Sequence, residues 1–193
     1  MEKKRQMVTR LCVTAMMTAI VFVGNYLRVT IPISLGGVTS FTLANILCAL
    51  AGILLGPLWG GLAAGLGSCL YDLTNPVFAA EAPITLCTKG MYGLVAGLVL
   101  FTLFRRRKEE YVPQLVAAAC AAVSYLVVYG MKVYFYNGMF LQGFTTAPQC
   151  WALVLSKLPA SLFNGAVAVL FAPLLGMALQ KALRAAHLEE LLG

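Results

Sequence analysis

Six apolar runs, each close to the length that a helix needs to cross a bilayer, dominate this chain of 193 residues. They run from Leu11 to about Leu27, Phe41 to Leu55, Leu58 to about Leu73, Ile84 to Phe104, Val112 to about Phe135, and Trp151 to about Leu179. A hydrocarbon core of about 30 Å takes about 20 residues at 1.5 Å each. The chain is 61% hydrophobic and 11% charged, where an ordinary soluble domain is about 45–50% apolar and about 25% charged. An all-α integral membrane protein with six transmembrane helices is expected. A water-soluble globular enzyme, a disordered chain and a nucleic-acid domain are excluded. The net charge of +7 does not mark a nucleic-acid surface, because the cations sit in clusters between greasy segments.

Those clusters set the topology. Lys3, Lys4, Arg5 and Arg10 precede the first run, Arg105, Arg106, Arg107 and Lys108 follow the fourth, and Lys181 and Arg184 follow the sixth. Loops that keep Lys and Arg face the cytoplasm, and with six spans all three clusters lie on that side, so both termini are expected to be cytoplasmic. The second and third runs are joined only by Gly56-Pro57. They read either as two helices with a tight turn, the preferred reading since Gly then Pro ends helices, or as one long bent stretch that re-enters the membrane. The basic start also imitates a secretory signal, but no small-residue cleavage site introduces a soluble domain. Residues 1–193 read as a single six-helix membrane domain with no low-complexity segment or internal repeat.

Cys12, Cys48, Cys69, Cys87, Cys120 and Cys150 are scattered without the short paired spacing of a metal site, so no metal is expected. His187, the lone histidine, lies in the tail and reads as a solvated residue. Gly56-x-x-x-Gly60, Gly61-x-x-x-Gly65 and Gly93-x-x-x-Gly97 read as internal packing faces, since membrane helices approach closely where side chains are small. Ala15-x-x-x-Ala19 makes a similar flat strip on the first helix, which can serve either another helix of this chain or a separate membrane subunit.

Intramembrane charge is the sharper signal, because an ionised group inside the bilayer costs several kcal/mol and marks function. On the six-span topology Arg28 closes the first helix, Asp72 ends the third, and Glu81 follows in a loop. Lys89 lies inside the fourth helix, Lys132 near the outer end of the fifth, and Lys157 about 9 Å below the start of the sixth. All converge on the outer half of the bundle. Mutual ion pairs with snorkelling to the headgroups are the structural alternative, favoured for Arg28 and Lys132. Around the charges, Tyr125, Tyr129, Lys132 and Tyr136 share one helical stripe. Lys157, Ser161 and Asn164 share another, with Trp151 above them. Such polar groups in an apolar wall suit a small-molecule pocket. The outer loop Thr30 to Ser40, with Pro32 for stiffness and Gly36-Gly37 for a hinge, suits a lid.

These residues resemble the substrate-binding S components of energy-coupling factor (ECF) vitamin transporters over nearly the whole chain. The resemblance rests on the basic start with Ala15-x-x-x-Ala19 and on Thr42-Leu-Ala-Asn45 leading into Leu54-Leu-Gly-Pro-Leu-Trp-Gly-Gly-Leu-Ala-Ala-Gly-Leu-Gly67. It extends to Tyr71-Asp72-Leu, Ala82-Pro-Ile-Thr85, Lys89-Gly90 and Lys157-Leu-Pro-Ala-Ser-Leu-Phe-Asn164. It implies a six-helix binding protein in a prokaryotic plasma membrane that captures a micronutrient outside. The partners implied are a membrane coupling subunit, which meets Ala15 and Ala19, and two cytoplasmic ATPases. The bound state closes under the loop after the first helix, and the protein topples to release its cargo inside. The Asn45, Tyr71-Asp72 and Lys89-Gly90 regions resemble members for hydroxymethylpyrimidine, pyridoxine-type or riboflavin substrates, while Thr42 stands where many relatives carry histidine. The expected substrate contacts are Asn45, Asp72, Lys89, Tyr125, Tyr129, Lys132, Trp151, Lys157 and Asn164.

No phosphate-loop motif is present, so ATP hydrolysis is expected only in partners, and no cofactor is expected. Two other classes compete. A stand-alone carrier or channel coupled to ions fits this size only as an oligomer. An intramembrane enzyme needs a nucleophile with a base, paired histidines or a carboxylate cluster, and Asp72 has no second carboxylate on its helix.

Overall fold

The computed structural model describes residues 2–32 and 38–185. The Gly36-Gly37 hinge and His187 fall outside these residues. Within them the chain is a bundle of helices: α1 (Glu2–Gly24), α2 (Ala44–Thr74), α3 (Ala82–Leu103), α4 (Tyr111–Met131) and α5 (Ala147–Ala185). A short antiparallel hairpin, β1 (Arg28–Pro32) with β2 (Val38–Thr42), separates α1 from α2, and a 3₁₀ turn over Ala79–Glu81 precedes α3. From Lys132 to Leu141, α4 continues as a π-helix. Among the described residues, five helical segments are long and apolar enough to cross a membrane: Met7–Gly24, Ala44–Thr74, Ala79–Leu103, Tyr111–Leu141 and Ala147–Ala185. Helices dominate for a physical reason, since inside lipid each backbone amide must find its partner within the protein.

The second and third apolar runs form the single element α2, which breaks at Gly56. There φ is 79° and ψ is −175°, a backbone conformation that only glycine adopts without strain. Pro57 then opens the second half, where a missing N–H removes no helical bond. The chain reverses at this point: a β-carbon on Gly60 would lie 2.5 Å from both the Ala51 carbonyl oxygen and Gly52 Cα. The two halves therefore lie against each other. Gly60→Val is expected to lower the thermal midpoint by the equivalent of about 1–3 kcal/mol, the usual cost of overpacking. An unchanged midpoint would contradict this contact.

The packing is inside-out relative to a soluble protein. Along the second half of α2, Leu58, Leu62, Leu66, Leu70 and Leu73 point outward and are exposed, while Gly60, Ala63, Ala64, Gly65 and Gly67 are buried. The buried face meets α3 at backbone distance, where Gly65 faces the Leu86 carbonyl oxygen, and Gly93 faces the Gly60 carbonyl oxygen. Lipid is as apolar as leucine, so helices associate through close approach of small residues rather than by hiding large ones. The sequence's glycine motifs lie in these contacts between helices. Alanines at 117, 121, 168 and 172 extend the same small-residue core between α4 and α5, around Ile53, Tyr92 and Leu100.

Two boundaries differ from expectation in ways that matter. The first helix ends at Gly24, so Arg28 does not close it but opens β1. The last helix begins at Ala147, which puts Lys157 about 15 Å along it rather than about 9 Å.

Candidate substrate site

One polar cavity collects side chains from nearly every element. Asn25 from the end of α1, Thr39, Ser40 and Thr42 from β2, Asp72 from α2, and Phe78 and Glu81 from the connection line it. So do Thr85, Thr88 and Lys89 from α3, Tyr125, Tyr129 and Lys132 from α4 and its π extension, and Lys157, Ser161 and Asn164 from α5. Helical spacing explains the α5 trio, since residues four and seven apart return to one face.

The charges within it are organised rather than dispersed to lipid. Lys132, 7% exposed, does not snorkel to a headgroup: its ammonium lies 2.7 Å from Glu81 Oε2 and donates to Thr85 Oγ1 at 3.2 Å. Asn137 Nδ2 donates to the other Glu81 oxygen at 2.5 Å. Lys132 and Asn137 are five residues apart and both buried. They reach the same carboxylate because i→i+5 winding stacks residues at that spacing. Lys89 donates to Asn45 Oδ1 and lies 4.8 Å from the centre of the Tyr125 ring. Arg28 is also turned inward. It donates to the Asn25 carbonyl oxygen at 2.8 Å and to Asn25 Oδ1 at 2.7 Å, with its guanidinium 4.2 Å from the Tyr71 ring centre.

The hairpin stands where the sequence suggested a lid, and it is latched. Asn164 Oδ1 accepts from the Thr42 amide at 2.8 Å, and its Nδ2 donates to the Ser40 carbonyl oxygen at 2.8 Å. The side-chain amide thus satisfies the free edge of β2 as a neighbouring strand would. Phe41 reinforces this against Phe163, edge to face at 5.3 Å.

Of the expected contact residues, Asp72, Lys89, Tyr125, Tyr129, Lys132, Lys157 and Asn164 line this one cavity. Asn45 stands behind Lys89 and is 1% exposed. Trp151 does not join them; it is 57% exposed and packs against Tyr134. Six residues at about 100° each turn it about 120° away from Lys157. Tyr136 also leaves its stripe: the π-winding after Met131 shifts the register, and its hydroxyl donates to the Ala80 carbonyl oxygen at 2.5 Å. Ala15 and Ala19 lie on the exposed face of α1, apart from the cavity. Asn25, Phe78 and Thr88 were not singled out from sequence. Asn25 carried one usable signal, a polar residue at the outer end of an apolar run, three positions before Arg28. Thr88 directly precedes a buried lysine.

A search of curated proteins finds no match. The family model described as "ECF-type riboflavin transporter, S component" matches residues 5–181, well over half of the chain. The chain is therefore a multi-pass membrane protein that belongs to the ECF-type riboflavin transporter S component family, whose members are vitamin-uptake subunits rather than enzymes.

Proposed function

We propose that this chain captures a small water-soluble vitamin or precursor from outside the cell and delivers it through an ECF-type importer in a prokaryotic plasma membrane. A heteroaromatic ligand of the riboflavin, pyridoxine or hydroxymethylpyrimidine type fits best. The observation that carries this reading is the latched hairpin over a cavity lined by buried lysines and by Tyr125 and Tyr129, whose rings stack at 5.4 Å. Ligand sites combine apolar walls with a few convergent polar groups, and a lid keeps them from water. The family's riboflavin designation supports the flavin-like option first.

In this reading the two halves of α2 cross the membrane separately, which gives six spans with both termini in the cytoplasm. Reporter fusions at each end test this, and signal from the outside at either end would overturn it. The coupling subunit docks on the exposed Ala15–Ala19 strip, ATP is hydrolysed by two partner ATPases, and release inside follows toppling of the whole subunit. The decisive experiment pairs two measurements. The purified chain, screened by thermal shift against riboflavin, pyridoxine and hydroxymethylpyrimidine, is expected to be stabilised by one of them, since a ligand bound only by the folded state raises stability by mass action. Vesicles are then expected to take up that ligand only when the coupling subunit and ATPases are present. Uptake by the chain alone, driven by an ion gradient, would establish the oligomeric carrier instead.

The latch makes its own prediction. Asn164→Ala leaves the Thr42 amide and the Ser40 carbonyl without their partner. Each lost hydrogen bond is worth about 0.5–1.5 kcal/mol, so ligand dissociation is expected to quicken by about tenfold. Stopped-flow release measures it, and an unchanged off-rate would remove Asn164 from the gate.

A further inference from the structure

The cavity carries more positive than negative charge, and among the described residues one of its cations has no direct hydrogen-bond or ion-pair partner. Four cations line it, Arg28, Lys89, Lys132 and Lys157, against two carboxylates, Asp72 and Glu81. Three of the cations are accounted for: Lys132 by Glu81, Lys89 by Asn45, and Arg28 by Asn25. Lys157 is different. It is 5% exposed, yet among the described residues its ammonium makes no direct hydrogen bond or ion pair; Glu81, the carboxylate that acts on it through space, is held directly by Lys132 and Asn137. The polar groups nearest it along α5 are engaged elsewhere. Ser161 gives its hydroxyl hydrogen to the Lys157 backbone carbonyl at 3.1 Å, and both ends of the Asn164 amide hold β2.

A mostly buried lysine that shares the Glu81 carboxylate with Lys132 instead of holding a counter-charge of its own is expensive to maintain, more so where the surrounding charges already sum to an excess of two positives. An anionic oxygen brought by the ligand removes both difficulties at once, because charge-assisted hydrogen bonds are the strong ones. We infer that the substrate is an acid: a vitamin-sized molecule carrying a carboxylate or phosphate monoester, whose anionic oxygens are gripped by Lys157. This deepens the proposed vitamin-binding role and rests on it.

The test compares ligands that differ only in that group. The full chain, in nanodiscs of phosphatidylcholine so that no anionic lipid competes, is titrated with riboflavin and riboflavin 5′-phosphate. Pyridoxine is set against pyridoxine 5′-phosphate, and pantothenol against pantothenate. In the pair that binds most tightly, the charged member is expected to bind about ten- to a hundredfold better. The phosphate and carboxylate pairs show which acid is meant. Lys157→Met is expected to bring the ratio within a pair close to one, while Lys157→Arg preserves it. A neutral member that binds as tightly as its charged twin in the wild-type chain overturns the inference and leaves the vitamin-binding reading intact. Absence of binding by every member overturns both.

Discussion

Replacing Glu81 with alanine is expected to destabilise the protein by up to about 3–5 kcal/mol, the cost of leaving a buried charge without its partner, since Lys132 is buried and Glu81 partly so. Lys132 is 5% and Glu81 17% exposed at the side chain, so little water is available to take over the lost interaction. The same change strips Asn137 of the acceptor for its Nδ2 and removes what ties the Ala79–Glu81 turn to the π-winding beyond α4. The double variant Glu81→Ala with Lys132→Met is expected to be more stable than Glu81→Ala alone, because the unpaired charge is gone. That non-additivity is the signature of a direct pair. Thermal midpoints of Glu81→Ala, Lys132→Met and the double variant in one detergent read it. A single variant within about 1 kcal/mol of wild type, the level of an exposed pair, would mean that the carboxylate is not what holds Lys132.

Ala15→Leu and Ala19→Leu carry the largest expected functional effect. Both alanines face outward on α1, where no other part of the described chain covers them, so a leucine there meets no neighbour inside the protein. A coupling subunit that approaches this strip would meet it, since contact between membrane helices at small residues depends on close backbone approach. Co-purification with the coupling subunit and uptake by the assembled transporter are expected to fall by at least about tenfold, the loss of about 1.4 kcal/mol of docking energy. Ligand binding by the isolated chain stays within about twofold. Uptake that survives both substitutions would free the strip of any docking role. Lost expression or lost ligand binding would return it to internal packing.

These two predictions probe different layers, and the layers were not equally legible from the chain. That Lys89, Lys132, Lys157 and Asp72 share one chamber followed from hydropathy alone, since charges inside apolar runs on one side of the membrane have few places to go. The face shared by Lys157, Ser161 and Asn164 followed from helical spacing. The tyrosine stripe held for Tyr125 and Tyr129, but Tyr136 was lost because the winding changes after Met131, and nothing in Lys132–Leu141 announces an i→i+5 ladder. Trp151 was misplaced through nearness in sequence, when angle around the helix decides which face a side chain occupies.

The sequence by itself determined that this is an apolar helical protein, where its chain must reverse at Gly56-Pro57, and which costly charges it keeps. Those properties are local: they depend on run length, on the backbone freedom of one residue and on side-chain chemistry. Tertiary structure alone decided who partners whom. Asn164 became a latch because β2, 122 residues earlier, lies within hydrogen-bonding distance of it. Lys132 turned from headgroup to Glu81, and Lys157 was left without a direct hydrogen bond or ion pair among the described residues. Such pairings turn on distances of a few ångströms between segments far apart along the chain, and no pattern of hydropathy encodes them.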